Sequence, residues 1–301
     1  MSATVSSTVP TGGSAPTAPT APTTGARPLG SLLRGVRPGV ALASLVVALV
    51  VLAALVPSLL APSGPTQIDL GNSLAAPSLS HPFGTDEAGR DLFSRVVYGT
   101  RLSLGIGLGA TGIAMGLAIV LGFLSGLAGG VVDTAVTRIL EVFFAFPSLL
   151  AALLVISVFG PSVTTSIVAV GLSSMPGYAR MVRGQVLNVK QAGYIEAAHA
   201  LGHRPSRVLA RHLFPNAMRP LVAVLTLGVG QSIVWASSLA FLGLGVPPPN
   251  PEWGALLDAG RNYITTQWWL EILPGLVIVL FAISVTTVGR AVQQRLEGAA
   301  R

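Results

Sequence analysis

The sequence predicts an all-α protein, a polytopic bundle of about six transmembrane helices, and three observations carry that prediction. Of its 301 residues 51% are hydrophobic and only 10% charged, with a mean hydropathy of +0.71, against roughly 25% charged residues in soluble domains. Several stretches approach the roughly 20 apolar residues that cross a bilayer as a helix. The basic residues collect near the ends of those stretches, as they do in chains oriented across a membrane. Glycine, at 35 residues, is unfavourable in a water-soluble helix but lets helices approach closely in lipid.

Residues 1–37 are rich in Ser, Thr, Ala, Pro and Gly and predict a disordered tail. Its extreme end lacks the basic, apolar and small-residue succession of a cleaved signal peptide. Arg27, Arg34 and Arg37 precede a first span near Val40–Leu60, which puts the N-terminus on the cytoplasmic side. Ala61–Tyr98 is too long and polar for a tight turn and is expected outside, so 38–98 reads as one span plus an external segment. A membrane domain over 99–295 follows, with a short tail at 296–301.

The second span is expected at Leu102–Leu124, where Gly105, Gly109, Gly112 and Gly116 predict a close helix–helix face extended by Gly122, Gly126 and Gly130, although a flexible turn is the plainer reading for Gly129-Gly130. A third lies near Ile139–Phe159, kinked at Pro147. A fourth, near Val163–Val182, carries Pro176-Gly177 beside Ser173, Ser174 and Tyr178, a pattern suited to a broken or pore-lining helix. The fifth is expected at Leu221–Leu242 and the sixth at Trp269–Val288, with Pro274 a further kink. Between them, Pro247–Trp253 predicts a stiff connector, because its prolines cannot form a helix. Trp253, Trp268 and Trp269 suit an interfacial aromatic belt, whereas Trp235 falls inside span five and suits packing.

Charge orients the bundle. With both termini inside, 14 of the 18 Lys and Arg residues are cytoplasmic and only Arg90, Arg95, Arg101 and Arg261 lie outside. Asp69, Asp86, Glu87, Asp91, Glu252 and Asp258 fall in the external segments. The modest +7 charge sits at span ends, so nucleic acid is not an expected partner. Zero cysteines exclude disulfides and thiolate chemistry.

Between spans four and five lies the polar island Lys190–Arg219. From Arg180 to Arg219 there are six Arg and one Lys against the single acid Glu196. Ile195–Ala200 has a helical preference, and Gly202 permits a sharp C-terminal turn. Ala197 and Ala198 have little side chain to keep another protein from the backbone. Two readings stay open from the residues alone: a surface that meets a partner, or a self-contained helix in which Glu196 pairs with a nearby Arg or Lys.

The segment Glu196–Gly202, EAAHALG, followed thirteen residues later by Pro215, resembles the EAA loop of binding-protein-dependent ABC importer permeases. His81–Gly107 and Ser238–Leu257 resemble the C-type permeases of the dipeptide, oligopeptide and nickel importers. The resemblance implies that Glu196, Ala197, Ala198, Gly202 and Pro215 build a cytoplasmic coupling helix docked on an ATPase. It further implies a homologous second permease, two ATPase subunits or domains that hold ATP and magnesium, an extracytoplasmic solute-binding protein, and a transported peptide. The chain itself is then a non-catalytic subunit of a bacterial inner membrane, with no cofactor or metal of its own.

The absence of a G-x-x-x-x-G-K-[ST] loop in the sequence agrees with the last point. Asp86, Glu87, Arg90, Asp91 and Arg95 read as an internally paired external cap, and the resemblance assigns Asp86, Arg90 and Asp91 to an outer gate. His199 and His203 share a helix face but lack the further ligands a metal requires. Nickel or another small solute is the alternative cargo. A lone ion-coupled carrier and a non-transporting scaffold remain as other classes.

Overall fold

The computed structural model describes residues 38–298; the expected tail at 1–37, with its basic flank, and residues 299–301 lie outside them. Among the described residues the fold is helical. Four helices are long and apolar enough to cross a membrane: α1 (Pro38–Leu55), α2 (Leu92–Ala128), the stretch Pro205–Leu244 that contains α8 (Phe214–Leu239), and α10 (Trp269–Gly298). α3 (Gly130–Ala145) and α4 (Ser148–Phe159) form a bent pair that makes up to five. α5 (Val163–Lys190) has the length, about 42 Å at 1.5 Å per residue, but a more polar composition.

Local chemistry sets the helix ends. The Asp91 carboxylate caps α2 by accepting from Ser94 N–H at 2.8 Å. That cap starts the helix well before the expected Leu102, so part of the supposed external segment is helix. The hydroxyl of Ser162 caps α5, accepting from Thr165 N–H at 3.0 Å. α2 stops at Gly129 and α3 opens on Gly130, with φ of +64° and +51°, conformations open to glycine at little cost.

Two of the expected proline kinks behave differently. Pro147 does not bend one helix but separates two at 86°. Proline forces its predecessor out of the helical region, and Phe146 is extended at φ −91°, ψ 133°. Pro176, by contrast, lies buried within an unbroken α5, so the fourth span is not the interrupted helix its sequence suggested. Packing against α2 holds the turn that the missing N–H weakens.

Glycine contacts give the directions. A Cβ on Gly109 would touch Ile167, on Gly122 it would touch Val182, and on Gly126 Val186, so α2 and α5 run parallel. The intervening α3 and α4 must therefore return the chain to its starting end. Gly107 against Ile233 and Gly228 against Thr111 make α8 antiparallel to α2. Gly230 faces Ala282 and Gly289 faces Thr226, so α10 is antiparallel to α8. Gly105, Gly112 and Gly116, expected in the packed face, have nothing within 4 Å; the close contacts belong to the neighbouring stripe.

Three apolar clusters fill the bundle. One, around Val182, Val186, Ile195, Leu213 and Leu221, lies at the end where α2 and α5 finish. A central one contains Ile106, Ile156, Val170 and Leu239. The third, at the opposite end, is built on Leu92, Trp253, Leu270 and Phe281. Trp253 is fully buried and Trp269 only 8% exposed, leaving Trp268, at 51%, as the one of the three expected belt residues open to its surroundings. The connector also holds more structure than expected, since α9 (Trp253–Gly260) follows its prolines.

Candidate coupling surface and opposing cap

At one end of the bundle, α6 (Gly193–Ala200) occupies the polar island. Its end is built on backbone bonds: Gly202 N–H donates to His199 O at 2.9 Å and His203 N–H to Ala198 O at 3.1 Å, with Gly202 at φ +74°. This is the Schellman pattern, which satisfies the last carbonyls and reverses the chain. α7 (Pro205–Val208) follows at once, with Pro205 in its first turn where no N–H is required.

α6 is amphipathic in a way the sequence did not separate. Ile195 and Ala198 are 2% and 5% exposed and pack into the adjoining cluster, whereas Glu196 and Ala197 face outward. Ala198 thus belongs to the inner face, not to the open surface expected of both alanines. Tyr194 and Leu201, 48% and 76% exposed, flank the outward strip, and Arg204, Arg207 and Arg211, all exposed, follow it in the chain. Glu196 has no hydrogen bond or ion pair among the described residues. His203 stacks on His212 with ring centroids 6.2 Å apart.

Pro215 sits in the first turn of α8, half-buried. Its ring would press on the carbonyl four residues back. The preceding residues Leu209–Leu213 wind more widely, Phe214 N–H reaching Leu209 O, and give the ring room. Asn216 Nδ2 donates to His212 O at 2.6 Å.

Three side chains bind this end into one unit. Arg183 of α5 donates to both carboxylate oxygens of Asp133 on α3, at 2.7 and 2.6 Å, and to Ser125 Oγ of α2 at 3.0 Å. Ser125 also donates to Asp133. Arg180 lies over the Phe144 ring at 4.0 Å, a cation–π geometry. Lys190 Nζ is 3.3 Å from Leu127 O at the end of α2, where cations favour a helix terminus.

The other end carries a second set of acidic residues. Asp86 is 6% exposed and accepts from Arg90 Nε at 2.7 Å, Arg90 N–H at 3.0 Å, Ala88 N–H at 2.9 Å and Arg95 Nη1. Asp91, besides capping α2, lies 3.0 Å from His81 Nδ1. Asp86 and Arg90 are therefore brought together with Arg95 in a largely buried knot, while the neighbouring Asp91 pairs separately with His81. Glu87 stays apart and accepts from Tyr263 Oη at 3.1 Å, which holds the tyrosine hydroxyl above its usual range.

A further carboxylate had no signal in the sequence. Glu252, 2% exposed, accepts from Ala255 N–H at 2.9 Å and from Ser103 Oγ of α2 at 3.1 Å, while Ser103 Oγ accepts from Trp253 N–H at 3.0 Å. Trp253 Nε1 donates to Val96 O at 2.9 Å. Burial pushes the Glu252 carboxyl up from 4.5, opposed by its hydrogen bonds. The two partners lie 149 residues apart, beyond the reach of any local pattern.

Residues 118–301 match the model of the family described as binding-protein-dependent transport system inner membrane component. The chain belongs to that family. It is a permease subunit of an ABC importer. The permease is 36% identical over 247 residues, 82% of its own length and 81% of the relative's, to the dipeptide transport system permease protein DppC of Alkalihalophilus pseudofirmus. It is 38% identical to the glutathione transport system permease protein GsiD of Pectobacterium atrosepticum, covering 73% of each chain. Its fold matches a chain of the inward-facing MetNI methionine ABC transporter at a TM-score of 0.56 and 18% identity, over 67% of this chain and 96% of that one.

This multi-pass membrane permease carries its charged clusters at its two ends. The tied helix ends around α6 and the knotted cap present different charge, and the apolar middle separates them.

Proposed function

We propose that the permease carries short peptides into the cytoplasm, with both termini and α6 on the cytoplasmic side and the Asp86–Arg90–Asp91 cap outside. The distribution of basic and acidic residues supports this orientation. Peptide is the favoured cargo because the relatives named above are dipeptide and glutathione permeases. A second permease would complete the path. Two ATPase subunits, holding ATP and magnesium, would seat on α6, and a solute-binding protein would deliver cargo to the cap. This chain would make and break no covalent bond.

The observation that carries the reading is the outward strip of α6. Glu196 is exposed beside the small Ala197 and has no partner among the described residues, while Ile195 and Ala198 root the same helix in the core. A push on that strip would therefore move packed neighbours rather than a loose flap. Closure of the ATPases on ATP would displace α6, and the Asp133–Arg183 and Lys190 ties would pass the motion to α2, α3 and α5.

Reconstitution of the whole transporter in proteoliposomes tests this. Binding protein and ATP should drive peptide uptake, and Glu196→Ala should lower uptake per ATP hydrolysed while leaving insertion intact. Undiminished coupling in that variant would remove Glu196 from the docking surface.

A further inference from the structure

Between α5, α8 and α10 lies an open groove of about 340 Å³, and among the described residues Arg290 is the only charged one that lines it. Tyr178, Gln231 and Thr286 supply its other hydrogen-bonding side chains. A second groove of about 430 Å³ shares Val234 with it and continues past Ser237 and Ser238 towards the cap end. Together they form a track along one face of α8.

Several hydroxyls of these helices bond their own backbone. Ser173 donates to Val170 O, Thr226 to Val222 O, Ser238 to Val234 O and Thr287 to Ile283 O. The Tyr178 hydroxyl, Gln231 amide, Thr286 hydroxyl and Arg290 guanidinium do not; none has a hydrogen-bond or ion-pair partner among the described residues. Gln231 lies midway along α8, where an amide turned to hydrocarbon is costly, so it faces water or a polar partner, and Arg290 closes the end of the groove nearest α6.

We infer that this groove is the solute-facing wall of the permease, with Arg290 taking the carboxylate of a short peptide and Gln231 its backbone amide. The ligand class rests on the peptide reading proposed above. Gln231 lies beside Gly230, which faces Ala282. From that level to Arg290 the axis of α10 rises about 12 Å, the reach of about three or four extended residues. Gly228 and Gly230, both buried, keep the floor of the groove low.

The natural chain has no cysteine, so each introduced thiol is the only one in this subunit. In the complete transporter, Gln231→Cys and Thr286→Cys should react with a charged methanethiosulfonate, and trialanine should slow both reactions. Leu280→Cys, on an exposed apolar part of α10, should stay unreactive. Groove thiols as inert as that at Leu280, or reactive without protection by trialanine, would overturn the proposal. The former would instead mark the groove as packing for the second permease.

For the carboxylate, Arg290→Gln should reduce a preference for trialanine over its C-terminal amide from about tenfold to near parity, the size of a lost charge-assisted bond. Arg290→Lys should retain the preference. An equal loss for both peptides would show a merely structural arginine. A wild-type transporter that takes up neither peptide would sink the peptide reading, while the thiol contrast would still decide whether the groove is aqueous.

Discussion

Glycine in α2 is two different residues by position. A Cβ on Gly99 would lie 1.8 Å from Pro251 O, which no side-chain adjustment relieves, whereas one on Gly112 meets nothing within 4 Å. Gly99→Ala should destabilise the isolated subunit by about 3 kcal/mol, as overpacking against backbone does. Gly112→Ala should change it by no more than about 1 kcal/mol, in the stabilising direction expected of helix propensity. Denaturant unfolding in detergent checks both, and equal effects would contradict the packing described. Glu252 makes a second prediction at this scale. Because its native carboxyl binds a proton more tightly than it does unfolded, stability should fall as pH rises from about 4.5 through the raised native value. Glu252→Gln mimics the protonated form, since its amide can donate to Ser103 and its oxygen accept from Ala255. It should flatten that slope in melting curves taken across the range; an unchanged slope would assign the pH dependence to other groups. Neither feature was legible beforehand. The sequence shows which residues are glycine or glutamate, but Pro251 reaches Gly99, and Ser103 reaches Glu252, only once α9 is folded against α2.

Among the elements, the end nearest α6 is held by polar ties across an apolar bundle. Asp133 and Arg183 are 25% and 32% exposed in their side chains, so solvent screening limits what their pairing adds to stability. Their value lies in registering α3 against α5. Asp133→Asn and Arg183→Gln should each lower the yield of an engineered α3–α5 cross-link and slow transport. The reciprocal exchange, Asp133→Arg with Arg183→Asp, should recover much of both, and recovery of neither would reduce the pair to a surface contact. The helices themselves were largely legible, because apolar length needs no tertiary context. Their ends were less so. Asp91, read as part of a charged cap, proved also to be the N-cap of α2, and Pro147 and Pro176 exchanged severity. The same residue type ends a helix where its predecessor can extend and is carried through where a parallel neighbour supports the turn.

Among the described residues the α6 end carries an excess of basic residues and the cap end an excess of acidic ones, and this bias makes the orientation testable. A thiol at Ser80, exposed in the cap-end segment, should react with a membrane-impermeant reagent in intact cells. A thiol at Ser206, exposed beside α6, should react only after the membrane is opened. The reverse pattern would invert the proposed topology. Composition and hydropathy alone established that this is a helical membrane protein, since so few charges cannot cover so much apolar surface in water. The motif around Glu196 placed it in its family, because that signal is local and contiguous. Tertiary structure decided the rest: that α2 and α5 run parallel, that Ala198 turns inward while Ala197 turns out, and that Tyr178, Gln231, Thr286 and Arg290 meet in one groove. Those facts depend on which helix faces which, and a linear pattern specifies the face a helix buries without naming the partner that covers it.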